Sequence, residues 1–219
     1  MSLVLHAHPF SSYCQKVLIA LHENAIPFEM RLLDFGDAQA LQRFTELWPI
    51  RRMPVLVDDD RPVMESSVII EHLDLNHARH VRMVPPDPRE ALDVRFVDRF
   101  FDQYVMTPMQ RIVADSMRPA DARDERSRAD AHALLDTAYA WLDRRMSGRE
   151  WACASGFGLA DCAAAPSLFY ADWVHPIGEA AANLRAYRRR LLARPSFARV
   201  VDAARPYRSL FPPGAPDRD

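Results

Sequence analysis

Leu3-Val4-Leu5-His6-Ala7 is a short apolar run. It hands the chain to a helix beginning Gln15-Lys16-Val17-Leu18-Ile19-Ala20-Leu21, within a helical pattern over Ser12 to Asn24. The alternation continues with a strand from Phe28 to Leu33, a helix from Asp37 to Leu47, strands at Val55 to Asp58 and Pro62 to Met64, and a helix from Ser66 to Leu75. This order is βαβ followed by ββα. Asp58-Asp59-Asp60 separates two strand-like runs with turn-forming residues, so it reads as a hairpin tip and only weakly as an acidic metal-binding cluster. Pro54 at the opening of a strand predicts an edge strand or a first-residue position, because proline donates nothing to a ladder.

After residue 76 the pattern changes. Pro85, Pro86 and Pro88 with scattered basic residues read as a linker. Beyond it Leu92, Phe96 and Phe100 recur every four residues, widened by Val97, Phe101, Tyr104 and Val105, and Pro108 is expected to kink or end that helix. Leu134, Ala138, Trp141 and Leu142 mark a second helix, and Leu159 to Val174, Ala180 to Leu192 and Ser196 to Ala204 supply more. The organisation predicted is an α/β unit at 1–76, a linker at 77–88 and an all-helical unit at 89–219, with 212–219 as a frayed tail.

Composition narrows the function classes. The chain has 219 residues, 49% of them hydrophobic, and a formal net charge of −2, which gives no overall electrostatic reason to bind nucleic acid or an anionic membrane. No stretch approaches the roughly 20 apolar residues of a membrane span, and no charged leader precedes a long apolar run, so a secretory signal is not expected. Cys14, Cys153 and Cys162 are widely spaced and form no CxxC pair, which predicts a reduced, cytoplasmic setting without disulfides or a zinc site. His72, His77 and His80 do not fit a helix-face ligand pair and read as scattered surface histidines, so no metal is expected. Arg188-Arg189-Arg190 reads as a solvated helix face. Lys16 is the only lysine, which reads as a bias of coding rather than of function.

Ser11-Ser12-Tyr13-Cys14 stands at the turn from first strand to first helix, where free N–H groups and the helix dipole favour an anion. Glutaredoxins carry C-P-Y-C there, and Ser11 occupies the place of their nucleophilic cysteine. Met53-Pro54 before a strand, Glu65-Ser66 at the head of a helix, and Gly158-Leu159-Ala160-Asp161 follow at suitable intervals. Together these segments resemble a cytosolic glutathione transferase of the serine type, zeta- or theta-like and bacterial, over nearly the whole chain. The fold this implies is a thioredoxin-like α/β N-terminal domain followed by an all-α domain, in a homodimer.

The resemblance assigns roles. Ser11 would donate a hydrogen bond to the glutathione sulfur, with Ser12 as rival; Cys14 has a possible redox role or is a small buried hydrophobe. The Met53-Pro54 step, cis in the family, would turn the Met53 backbone toward the glutathione cysteinyl group; Arg52 would meet the glycyl carboxylate. Ser66 as helix N-cap would receive the γ-glutamyl carboxylate, and Glu65 would accept from the α-amino group. Arg51 stands where the family's pattern has glycine, and Gly158 where its capping motif has Ser or Thr, leaving Asp161 to reach back to a backbone N–H. Phe10, Phe101, Tyr104, Val105, Met109, Phe169 and Trp173 are the candidates for the electrophile site. The implied activity is conjugation of glutathione to an electrophilic small molecule. Alternatives are a glutathione-dependent thiol oxidoreductase, a maleyl-type isomerase, or a catalytically silent binding protein of the same fold.

Overall fold

The computed structural model describes residues 3–34 and 36–219. Its first part runs β1 (Leu3–Ala7), α1 (Ser12–Glu23), β2 (Glu29–Leu32), α2 (Ala38–Leu47), β3 (Val55–Asp58), β4 (Arg61–Met64) and α3 (Ser66–Asn76). The sheet order is β2-β1-β3-β4, with β1 parallel to β2 and the other pairs antiparallel. The hairpin turn sits at Asp59 and Asp60, both at positive φ. Aspartate tolerates that region, and the handedness matches the strand twist. β3 lies inside the sheet, so Pro54 is not on an edge; it stands just ahead of the first ladder residue, where no N–H is needed.

The rest is helical: α4 (Pro88–Phe100), a π-helical segment (Phe101–Met106), α5 (Thr107–Ser116), α6 (Glu125–Arg145), α7 (Leu159–Val174), α8 (Ala182–Ala193) and α9 (Pro195–Ala204), with 3-10 turns at Ala120–Ala122 and Arg205–Leu210. Pro108 neither ends nor breaks the rod from 88 to 116; it falls in the first turn of α5, just past the π segment, where a missing N–H costs little.

α1 and α7 are buried along almost their whole length, which their apolar residues on every face require. They pack on each other, and one continuous core runs from β1 through α1 and α7 to Phe211. Asp161, fully buried in the first turn of α7, accepts from the N–H groups of Gly158 (3.0 Å) and Ala152 (2.9 Å) and from the Tyr187 hydroxyl (2.5 Å). Burial pushes its carboxyl up to about 6, against those three donors. A Cβ on Gly158 would stand 2.7 Å from the Met83 carbonyl oxygen, whose close approach brings the Leu159 N–H within 2.9 Å of the same oxygen. The absent Ser or Thr is thus accounted for by contact between the connecting segment and the start of α7.

Two surface expectations change. The arginine run is not simply solvated: Arg188 pairs with Asp172 at 3.3 Å, and Arg190 donates to the Glu150 and Arg149 carbonyls, leaving Arg189 exposed. The tail from 212 to 219 is tied down rather than frayed, with Arg218 bonded to Asp172 and Asp219 to Arg205 and Arg208.

Candidate functional site

A cleft of about 890 Å³ opens between the α/β part and the rod that contains α5. Its floor is the β1–α1 turn. Ser11 is the residue before α1 and lines the cleft; its hydroxyl accepts no hydrogen bond from the helix backbone and bonds the Cys14 thiol behind it. Ser12, nearly buried, and Tyr13 line the cleft beside it. The turn is held from behind: buried Gln15 donates to the Pro9 carbonyl and to the Tyr170 hydroxyl, both at 2.9 Å, and that hydroxyl donates to the Phe10 carbonyl at 3.1 Å.

Cys14 points the other way, into the core. Burial pushes its thiol up to about 11, outweighing hydrogen bonds from the Ser11 side chain and the His8 backbone. It does not line the cleft among the described residues, which disfavours the redox role and leaves the small buried hydrophobe. Tyr13 is also pushed up, to about 12, first by burial and then by the Asp102 carboxylate, so its hydroxyl keeps its proton and can donate.

One wall carries Arg51, Arg52, Met53 and Pro54, with the Met53–Pro54 peptide cis. Arg51 sits at φ 56°, the left-handed region that favours glycine, so the loop keeps a glycine-like backbone with an arginine on it. Glu65 also has positive φ, at 67°. It, not Ser66, is the residue preceding α3; Ser66 is the first helical residue, and these two bring the start of the helix, where N–H groups lack helical partners, to the cleft.

Beneath this wall lies an ionic cluster. Lys16, 1% exposed, contacts Asp98 at 2.5 Å, Asp102 at 3.2 Å and the Ser67 hydroxyl at 2.9 Å. Ser67 donates to Asp98 at 2.8 Å, and Arg99 bonds Ser67 and Asp102. The single lysine is thus the hub joining α1, α3 and the α4–π segment rod, and it is no mere compositional residue. Burial, partly offset by Lys16, raises the carboxyl of Asp102, whose edge lines the cleft with that of Arg99.

The opposite wall is largely apolar. Phe10 and Met109 line it as expected, joined by Val113, Ala114, Met117, Tyr170 and Phe211, with Gln103 and Gln110 as polar groups. Phe101, Val105 and Phe169 are instead buried in the core, Trp173 packs behind Phe10 and Phe211, and Tyr104 is 46% exposed on an outer face against Phe100. The expected set mixed lining with packing. Met109, Val113 and Met117 recur every four residues, a stripe readable in the sequence; Phe211 and Tyr170 reach the cleft only through tertiary packing.

The histidines correct another expectation. His72 and His77 are not scattered: both rings meet Asp58, with Nε2 to Oδ2 distances of 2.7 and 2.8 Å. His77 lies just past the end of α3 and Asp58 ends β3, so helix-face spacing could not reveal the grouping. The group lies outside the cleft lining.

Residues 5–82 match the family described as "Glutathione S-transferase, N-terminal domain", and residues 121–190 match "Glutathione S-transferase, C-terminal domain". The chain is 32% identical to glutathione S-transferase U10 of Arabidopsis thaliana over 113 residues, a match that spans 51% of this chain and about half (48%) of that protein. It is 27% identical to the stringent starvation protein A homolog of Haemophilus influenzae, over 93% of this chain and 92% of that protein. Among solved structures, a glutathione S-transferase of Methylobacterium radiotolerans in complex with glutathione sulfonate matches with a TM-score of 0.79 at 28% identity, covering 92% and 95% of the two chains.

Proposed function

Since the chain belongs to the glutathione S-transferase family, we propose that it binds glutathione in the cleft beside α1 and activates its thiol for attack on an electrophilic small molecule. The observation that carries this reading is Ser11, a hydroxyl at the head of a buried helix that caps nothing and borders a cleft with cationic groups on one wall and an apolar face on the other. Glutathione's thiol resembles a free cysteine at about pKa 8.5, and lowering it by roughly two units needs about 2.7 kcal/mol. A hydrogen bond to a charged acceptor is worth about 1.5–3 kcal/mol and a helix terminus about 0.3–1 kcal/mol, so the two together suffice.

The remaining roles follow charge. Arg52 takes the glycyl carboxylate, the Met53 backbone pairs with the cysteinyl group, and the first turn of α3 at Ser66 receives the γ-glutamyl carboxylate beside Glu65. The electrophile lies against Phe10, Met109, Val113 and Phe211, which suits an apolar or aromatic body.

The test is a set of single variants assayed with glutathione and a panel of electrophiles. Ser11→Ala should lower kcat roughly ten- to a hundredfold and raise the pKa of the bound thiol, with glutathione affinity nearly unchanged. If the loss follows Ser12→Ala or Tyr13→Phe instead, the donor is that residue. Alanine at Glu65 or Ser66 should weaken glutathione binding more than it shifts the thiol titration; unchanged binding reduces the pair to a helix start.

A catalytically silent binding protein is the second reading, since a relative similar over 93% of this chain is named a stringent starvation protein A homolog and not a transferase. Glutathione binding without turnover across the panel supports it. Thiol transfer through Cys14 is disfavoured by that residue's burial, while a maleyl-type isomerase uses the same activated thiolate and belongs on the panel. We place the protein in the cytoplasm, on its three unpaired cysteines, and as a homodimer; among the described residues no helix is long and apolar enough to cross a membrane. The dimer reading rests on α3 and α4, joined by the Arg95–Glu71 ion pair at 2.7 Å and exposing Val68, Leu75, Leu92 and Phe96.

A further inference from the structure

We propose that Asp58, His72 and His77 form a binding site for one divalent first-row cation of the zinc type, separate from the glutathione cleft. The three come from different places in the fold: Asp58 ends β3, His72 lies on the last turns of α3, and His77 follows that helix. Their side chains nonetheless converge on one point. Both Nε2 atoms lie within 2.8 Å of the same carboxylate oxygen, and all three ligand atoms are within 4.8 Å of one another. With metal bonds near 2.0–2.1 Å, neighbouring ligands of a tetrahedral zinc stand about 3.3 Å apart, so each imidazole has to draw back from the carboxylate oxygen by about half an ångström while the two imidazole nitrogens settle at the same spacing from each other.

The donor set decides the class of ion. Two imidazoles and one carboxylate suit zinc and its late first-row neighbours, whereas calcium and magnesium require mostly oxygen. The side chains are 26%, 14% and 13% exposed for His72, Asp58 and His77, sheltered enough to be held and open enough to leave water the remaining positions. Ligation uses the Nε2 lone pair, so each ring must carry its proton on Nδ1. For His72 that nitrogen faces the amide nitrogen of Asn76 at 3.3 Å, and the same amide donates to the His72 carbonyl at 2.9 Å, so ligation through Nε2 requires this exposed side chain to turn away and leave Nδ1–H to water.

Asp58 and the two histidines would then tie the far end of β3 to the far end of α3. The near ends of the same two elements carry Pro54 and Glu65-Ser66. The bound ion therefore clamps the unit that presents the glutathione wall without touching the cleft.

The experiment is titration of the tag-free, full-length chain at neutral pH, without glutathione or other thiols, with Zn2+ by calorimetry and Co2+ by visible absorption. One equivalent per chain is expected, with a rise in the thermal unfolding midpoint and a Co2+ spectrum of mixed nitrogen and oxygen ligation. His72→Gln and His77→Gln together should weaken Zn2+ binding by roughly tenfold or more, and Asp58→Asn, which still accepts hydrogen bonds from both rings, by a similar factor. Absence of saturable Zn2+ binding by the parent chain overturns the proposal, leaving Asp58 only a hydrogen-bond acceptor. Undiminished binding by the folded variants overturns it as well. Should the variants not fold, X-ray absorption of the zinc-loaded parent decides: two imidazoles on the metal support the site, and fewer refute it.

Discussion

Arg51 illustrates what a single residue can and cannot reveal. Its identity departs from the glycine of the family pattern, yet its φ of 56° retains the backbone shape glycine would give. The left-handed region costs an L-residue about 1–2 kcal/mol, so Arg51→Gly should unfold at higher denaturant than Arg51→Ala, the pair differing by about 1 kcal/mol in equilibrium urea unfolding. Equal stability of the two would mean the loop relaxes. Cys14 supports a second prediction. It, Cys153 and Cys162 are all buried, and burial pushes Cys14 up to about 11 and Cys153 up to about 12. A disulfide reagent at pH 8 should react with none of them rapidly in the native protein and with all three in denaturant; one fast native thiol would reopen the redox reading. At this scale the strand-to-helix turn at Ser11, the Met53-Pro54 step and the helix start at Glu65-Ser66 were legible from local chain direction, whereas what holds the Ser11 turn in place comes from α7.

Elements were legible where their apolar period is strong, and β1, α1, β3 and α7 fall where the pattern puts them. The relations between elements were less so. Lys16 appeared uninformative because its partners, Asp98 and Asp102, lie over 80 residues away and are spaced like any charged pair on a helix. A longer separation, 155 residues, hides the Gln15–Tyr170 tether of the Ser11 turn. Lys16→Met should be strongly destabilising, by about 3–5 kcal/mol, because it leaves two buried carboxylates without their cation. Loss should diminish at acid pH, where the carboxylates of the variant can be protonated. A variant as stable as the parent at neutral pH would mean that Arg99 alone neutralises the cluster.

For the whole molecule, the predicted α/β and all-helical parts are both present, and α1 against α7 gives them one continuous core. Unfolding should accordingly be a single cooperative transition. The exposed face of α3 and α4 carries apolar surface still to cover, with Leu75 at 76% and Leu92 at 69% exposed. Light scattering on a sizing column should give twice the chain mass, and Leu92→Glu with Phe96→Glu should halve it while leaving the circular dichroism spectrum intact. A parent chain that runs as a monomer removes the dimer reading. The histidine grouping shows the limit of sequence reasoning at this scale, since a hairpin end and a helix end meet only once the sheet is formed.

The π segment between α4 and α5 acts as a phase shifter in the rod. Each residue of an ordinary helix advances by about 100° around the axis, so one surplus residue in a widened turn resets the angular position of everything after it. Met109, Val113 and Met117 owe their direction into the cleft to that offset as much as to their own chemistry. Chains of this fold that gain or lose one residue between 101 and 106 would therefore present a different strip of α5 to the incoming molecule, changing selectivity with no substitution in the wall itself.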